Sequence, residues 1–319
     1  MLILTTLVLS LAVHADGLRV PVIVNGFPTD EPAAVTALTV EYDGSLYGPF
    51  CSATLVASTW ALTAAHCVKA IQEDYAGNDI YLVSGADLLT TGVERSVLVE
   101  RSIAHPEYDD STYTDDIGLL ELEGAGMPSI EPIPLNQDLV NSTWIGQELR
   151  FVGYGITTDN AEDMGTKRYA DIPIVNLDME IIYAWDPDDG QNVCQGDSGG
   201  AALEILSNGE YELAGVNAFV GLWKGQEGDD ACADGFVGAT RVDVHMDWIM
   251  EQTGGDIYVD TGGSSSFPWG GKDGGGWCAA APTESRGIGL LLLALGAVAW
   301  RRRPTGATAQ TDGNTARPG

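Results

Sequence analysis

A serine set among glycines is the first place where chemistry is legible. The stretch Cys194-Gln195-Gly196-Asp197-Ser198-Gly199-Gly200 puts a hydroxyl one residue after an aspartate and four after a cysteine. Glycine admits backbone conformations closed to other residues and lets a substrate come close to the main chain. A serine held there exposes its hydroxyl, and the backbone N–H groups of Gly196 and Ser198 can point at one oxygen, as an oxyanion hole requires. A cluster of this composition also favours a plain turn. The stretch alone leaves both readings open.

A serine hydroxyl is a poor nucleophile until a base takes its proton. The chain has four histidines, His14, His66, His105 and His245. His14 falls in an apolar N-terminal segment that reads as a removable leader. His66 follows an apolar run, Trp60-Ala61-Leu62-Thr63-Ala64-Ala65, whose small residues leave room around an imidazole. A catalytic base also needs an acceptor to orient its second nitrogen. The segment Tyr113-Thr114-Asp115-Asp116-Ile117-Gly118-Leu119-Leu120 offers a carboxylate at the mouth of an apolar strand, where burial would oblige it to be hydrogen-bonded.

The elements that must position these residues are short. Runs at Val35–Tyr42, 53–56, 80–83, 97–99, Gly118–Leu122, 149–152, 172–175, 201–206 and 211–216 are alternating or continuously apolar and bounded by Gly, Asp, Asn or Pro. That is the strand signal, and many short strands predict an all-β barrel or sandwich. One amphipathic helix is predicted at 242–252, marked by Val244, Trp248 and Ile249.

Here a family enters. Thr63-Ala64-Ala65-His66-Cys67, Asp116-Ile117-Gly118-Leu119-Leu120 and Gly196-Asp197-Ser198-Gly199-Gly200, in that order, resemble the motifs of the chymotrypsin-like serine proteases. Ile23-Val24-Asn25-Gly26 resembles the mature N-terminus of that family, and His105-Pro106-Glu107-Tyr108, Gly153-Tyr154-Gly155 and Thr240-Arg241-Val242 resemble further parts of it. The resemblance spans residues 23–252. It implies two six-stranded antiparallel β-barrels with the active site between them and a C-terminal helix. It implies His66 as general base, Asp116 (rather than Asp115) as its orienter, Ser198 as nucleophile, and the Gly196 and Ser198 N–H groups as oxyanion hole. His105 and His245 are then structural. Disulfides Cys51–Cys67 and Cys194–Cys232 are implied, with Cys278 left over. Activation would free the amine of Ile23 to pair with Asp197, yet Val22 precedes Ile23 where trypsin-like activators want a basic residue. The same resemblance puts Asn192 at the pocket floor, and Val220 and Val237 on opposite walls, which predicts a small aliphatic residue before the scissile bond. It also puts Ala218 where the family has a serine near the aspartate.

The ends of the chain read as targeting. Residues 1–15 have the apolar core and the small-residue end of a signal peptide, and 16–22 remain as a short propeptide. Residues 253–277 form a Gly/Ser-rich linker. At 278–303 Cys278, the apolar run 287–300 and Arg301-Arg302-Arg303 resemble a Myxococcus-type sorting signal, and 304–319 are a polar tail. The alternative there is a simple membrane anchor. With 46 acidic and 15 basic residues the net charge is −31, which argues against nucleic acid as a partner. The acidic run 186–190 reads as a solvated loop, so no metal site and no cofactor are expected. The expected partners are protein or peptide substrates and the machinery that processes the C-terminal signal, with the protein itself a monomer. Two other readings are a non-catalytic relative used for binding, and an α/β-hydrolase, since Gly196–Gly200 also satisfies G-x-S-x-G.

Overall fold

Strands dominate because the apolar residues recur at every second position and Gly, Asn and Asp break the runs every few residues. A computed structural model describes residues 23–158, 161–188, 190–223 and 231–258. After the short β1 (Phe27–Pro28), six strands close the first barrel. They are β2 (Val35–Tyr42), β3 (Ser45–Leu55), β4 (Trp60–Thr63), β5 (Ile80–Ser84), β6 (Arg95–Ala104) and β7 (Gly118–Leu122), paired in the order β2-β3-β4-β7-β6-β5. All these pairings are antiparallel. Ala37, Leu38, Ala53, Leu55, Leu62, Leu82, Leu119 and Leu120 fill its interior, none of them exposed.

The second barrel consists of β8 (Glu148–Gly153), β9 (Arg168–Leu177), β10 (Ile181–Ala184), β11 (Ala201–Ile205), β12 (Tyr211–Gly221) and β13 (Phe236–Arg241). They run β9-β10-β13-β12-β11-β8, and the β8–β9 pairing closes the ring. Its core holds Phe151, Ile172, Ile182, Ala214 and Val237. Closure leaves few free edges, which suits strands this apolar.

Three helices accompany the barrels among the described residues: α1 (Ala65–Glu73), α2 (Ala231–Asp234) and α3 (Met246–Thr253). The helix expected at 242–252 is present as α3, entered through a 3-10 turn at Asp243–His245 and ended by Gly254 in the left-handed region. The chain then stays on the first barrel, where the Tyr258 N–H donates to Val56 and its carbonyl accepts from Leu135. Residues 253–258, expected to open the linker, are therefore tied to the barrel. Both disulfides are formed, Cys51–Cys67 and Cys194–Cys232. Among the described residues no helix is long and apolar enough to cross a membrane. Cys278, the run 287–300, the arginine cluster and the leader and propeptide at 1–22 lie outside the described residues.

Candidate active site

Strand register delivers the base. Thr63 ends β4 opposite Gly118, which begins β7. His66 lies three residues beyond Thr63 and Asp116 two residues ahead of Gly118, so both arrive at the same end of the first barrel. His66 falls in the first turn of α1, and Cys67 beside it bonds to Cys51 on β3. Asp116 is wholly buried. Its Oδ1 accepts the His66 backbone N–H at 2.9 Å, and its Oδ2 lies 2.7 Å from His66 Nδ1. An ionised carboxylate only accepts, so Nδ1 carries the ring proton and Nε2 keeps its lone pair for other work. Among the described residues these are the hydrogen bonds Asp116 receives; Ala218 has no hydroxyl to add another.

The second barrel supplies the serine loop. Residues 194–200 run from the Cys194–Cys232 disulfide into β11. His66 and Ser198 line one cleft of 480 Å³, together with Tyr113, Gln195, Ala218, Phe219 and Val220. Among the described residues the N–H groups of Gly196 and Ser198 donate to no protein group, whereas those of Asp197, Gly199 and Gly200 are all bonded to carbonyls. Two free donors in a loop whose other donors are satisfied make an anion-accepting pair.

Ser52, which sequence reasoning passed over, fastens this loop to the first barrel. Its N–H donates to the Ser198 carbonyl at 2.8 Å, and its hydroxyl donates to the Gly196 carbonyl at 2.8 Å. The same hydroxyl accepts the Tyr154 N–H at 3.1 Å. The only sequence signal was its place beside Cys51. Tyr154 adds a second tie, its hydroxyl donating to Gly85 at 2.8 Å and reaching Val35 at 3.3 Å. Gly199 sits where no other residue fits: φ is +81°, and a Cβ would overlap Thr63 Oγ1 and the Ser52 carbonyl.

Asp197 lies under the loop, fully buried. Its Oδ1 accepts the Gly155 N–H at 2.7 Å and its Oδ2 the Cys194 N–H at 2.9 Å. Burial pushes its pKa up to about 6; the two N–H donors and nearby Arg168 oppose the rise without cancelling it. Ile23 is wholly buried in the second-barrel core, and Val24 forms an antiparallel bridge with Asn192.

The three residues expected at the specificity pocket lie at different depths. Val220 lines the cleft, but Val237 and Asn192 do not. Val237 is the cross-strand partner of Val220 and is wholly buried in the second-barrel core. Asn192 is 1% exposed, its side-chain oxygen accepting the Val193 N–H.

Two antiparallel barrels that divide a histidine–carboxylate pair and a serine loop between them have the trypsin-type architecture. Residues 23–249 match the trypsin family, and the chain belongs to it; it is a serine endopeptidase. It is 28% identical to trypsin-1 of Astacus astacus over 217 residues, 63% of this chain and 86% of the relative. It is 32% identical to a collagenase of Hypoderma lineatum, over 64% of this chain and 76% of the relative. Brachyurin of Leptuca pugilator is 27% identical over 64% of this chain and 88% of its own length. The α/β-hydrolase reading is excluded, because Ser198 leads into the antiparallel strand β11 rather than into a helix after a parallel strand.

Proposed function

We propose that this endopeptidase cleaves peptide bonds with Ser198 as nucleophile, His66 as general base and Asp116 as its orienter, through an acyl-enzyme. The observation that carries the reading is the 2.7 Å contact of buried Asp116 with His66 Nδ1, which turns the Nε2 lone pair toward the cleft that Ser198 shares. Nε2 takes the Ser198 proton as the hydroxyl attacks the carbonyl, and the N–H groups of Gly196 and Ser198 hold the developing oxyanion. The protonated imidazole gives its proton to the leaving amine, and water repeats the sequence to release the acid.

The chain is made as a precursor. Cleavage before Ile23 would place a free amine near Asp197, whose raised pKa marks a carboxylate short of a cation. Val220 on the cleft wall, with Val237 behind it, supports preference for a small aliphatic residue before the scissile bond. Val22 is such a residue, so the enzyme activates itself. The N-terminal leader and the Cys278 to Arg303 segment support export and tethering at an outer bacterial surface, with protein or peptide substrates and a monomeric protease domain.

A fluorophosphonate probe tests the triad: labelling of wild type should vanish in both Ser198→Ala and His66→Ala. Sequencing the N-termini of wild type and Ser198→Ala tests activation. Ile23 should begin the wild type alone; its appearance in both would assign the cut to another protease. An unlabelled chain verified to begin at Ile23 would overturn this assignment of the triad.

A further inference from the structure

Behind the triad lies a second group of polar side chains that catalysis does not use. Asp115, the neighbour of Asp116, has one carboxylate oxygen 3.0 Å from His245 Nε2 and 3.6 Å from His105 Nδ1. The three residues are each able to aim one ligand atom at a common point, with all three atoms within 4.8 Å of one another. They come from separate parts of the fold: the end of β6, the loop before β7 and the turn that opens α3.

The hydrogen bonding around them fixes which atoms carry protons. His245 Nδ1 lies 2.7 Å from the Arg241 carbonyl, which can only accept, so that nitrogen is the donor. His245 Nε2 then turns a lone pair toward Asp115 Oδ1. His105 Nδ1 accepts a long bond, 3.4 Å, from the Glu107 N–H, so it carries no proton, and this weakly held lone pair is the one a metal ion would take in its place. With both rings neutral, His245 Nε2, His105 Nδ1 and Asp115 Oδ1 meet as three acceptors. Such a trio repels itself unless a cation stands among its members, either a proton or a metal ion.

The frame around the trio holds it ready. The His105 and His245 rings meet edge to face at 5.1 Å between centroids, and the Trp248 ring lies 4.9 Å from the His105 ring. The Arg241 carbonyl behind His245 is the kind of outer partner that sets a ligand's tautomer and raises its basicity. Asp115 keeps 18% of its side-chain surface, which leaves a way in from solvent. Tetrahedral zinc, at about 2.0–2.1 Å from nitrogen and oxygen ligands, spaces them about 3.3 Å apart, between the two separations seen at Asp115.

We propose that His105, Asp115 and His245 form a binding site for a divalent transition-metal ion of the zinc class. Two imidazoles and one carboxylate suit zinc and its neighbours, and they do not suit calcium or magnesium, which take oxygen ligands. Three protein ligands leave a fourth position to water. The ion clamps the loop 113–116, where Tyr113 meets the His66 ring edge to face at 6.3 Å and Asp116 holds that ring. The histidines expected to be structural thus become ligands.

The test is Zn²⁺ binding by the purified full chain carrying His66→Ala and Cys278→Ser, so that neither the catalytic histidine nor the fifth cysteine offers a ligand. Calorimetry and equilibrium dialysis should find one saturable ion per chain, and Tm should rise with added Zn²⁺ and fall back with a chelator. Adding His105→Ala or His245→Ala should weaken binding by about 100-fold. Asp115→Asn, which preserves shape, should weaken it by at least 10-fold and covers the case in which a histidine variant fails to fold. A chain that binds no Zn²⁺, or one whose binding survives all three substitutions, overturns the proposal and leaves a protonated His245–Asp115 pair. Every readout is made without the catalytic base, so the result stands apart from whether the enzyme cleaves peptides.

Discussion

Asp116 and Asp197 are both wholly shielded from water, and each adjoins a member of the proposed triad, yet they are held by different means. Asp116 meets the ring and the backbone of His66, and every atom of that arrangement belongs to the first barrel. Asp197 meets the backbone N–H groups of Gly155 and Cys194, with Arg168 nearby as its favourable charge and Asp163 opposing. The His66–Asp116 half of the proposed site is therefore held within one barrel. The nucleophile half carries a buried carboxylate whose ionisation burial opposes, the condition that a new N-terminal amine would relieve.

The largest break of this comparison is at the triad. His66→Ala or Ser198→Ala should lower kcat by about 10⁵- to 10⁶-fold, and Asp116→Asn by about 10⁴-fold, read from steady-state rates on chain beginning at Ile23. An Asp116→Asn variant that kept wild-type kcat would deny Asp116 its orienting role.

The next effect distinguishes the two aspartates by pH. In the uncleaved chain the Asp197 pKa stands at about 6, above the ordinary carboxyl value. Between about pH 4 and 6 the folded state therefore binds more protons than the unfolded state, and stability falls as pH rises. The stabilising contribution of the protonated group is full below about pH 4 and lost through pH 6, on the order of 3 kcal/mol in all. The difference in urea stability between wild type and Asp197→Asn across that window isolates it. Chain cut before Ile23 should show the opposite slope, because a paired amine favours the carboxylate.

Gly155→Ala sharpens the contrast by steric means. A Cβ there would overlap the Asp197 carboxyl carbon, so the substitution should cost about 1–3 kcal/mol of stability, measured by denaturant midpoint, and should reduce active-site labelling. The His66–Asp116 pair should be untouched. Ser52→Ala is smaller in scope: it removes the tie to Gly196 and leaves the buried Tyr154 N–H without a partner, about 1–3 kcal/mol. It should lower kcat more than it raises KM, since the loop and not the pocket is loosened.

The candidate site could be proposed from sequence because each of its members sits in a short local motif, and the barrels were legible because period-two strands between turn residues announce themselves. Helix α1 was not, since Ala64 gives no side-chain cap and the preceding apolar strand runs straight into it. The pocket walls are harder to read from sequence for a related reason. The β12–β13 register shifts between Asn217 and Phe219, so counting along the strand no longer says which residue faces the cleft. Ser52 was invisible because its partners lie 144 and 102 residues away. The same holds for Asp115 and His245, 130 residues apart, whose meeting only the fold reveals.

The central claim is that the site stands complete in its base half and awaits an amine in its nucleophile half. Fluorophosphonate titration of one preparation before and after its N-terminus is cut to Ile23 tests it directly. The account predicts little labelling of the uncut chain and stoichiometric labelling of Ser198 in the cut chain, abolished by His66→Ala. Equal labelling of both forms, or none of a chain verified to begin at Ile23, would contradict it.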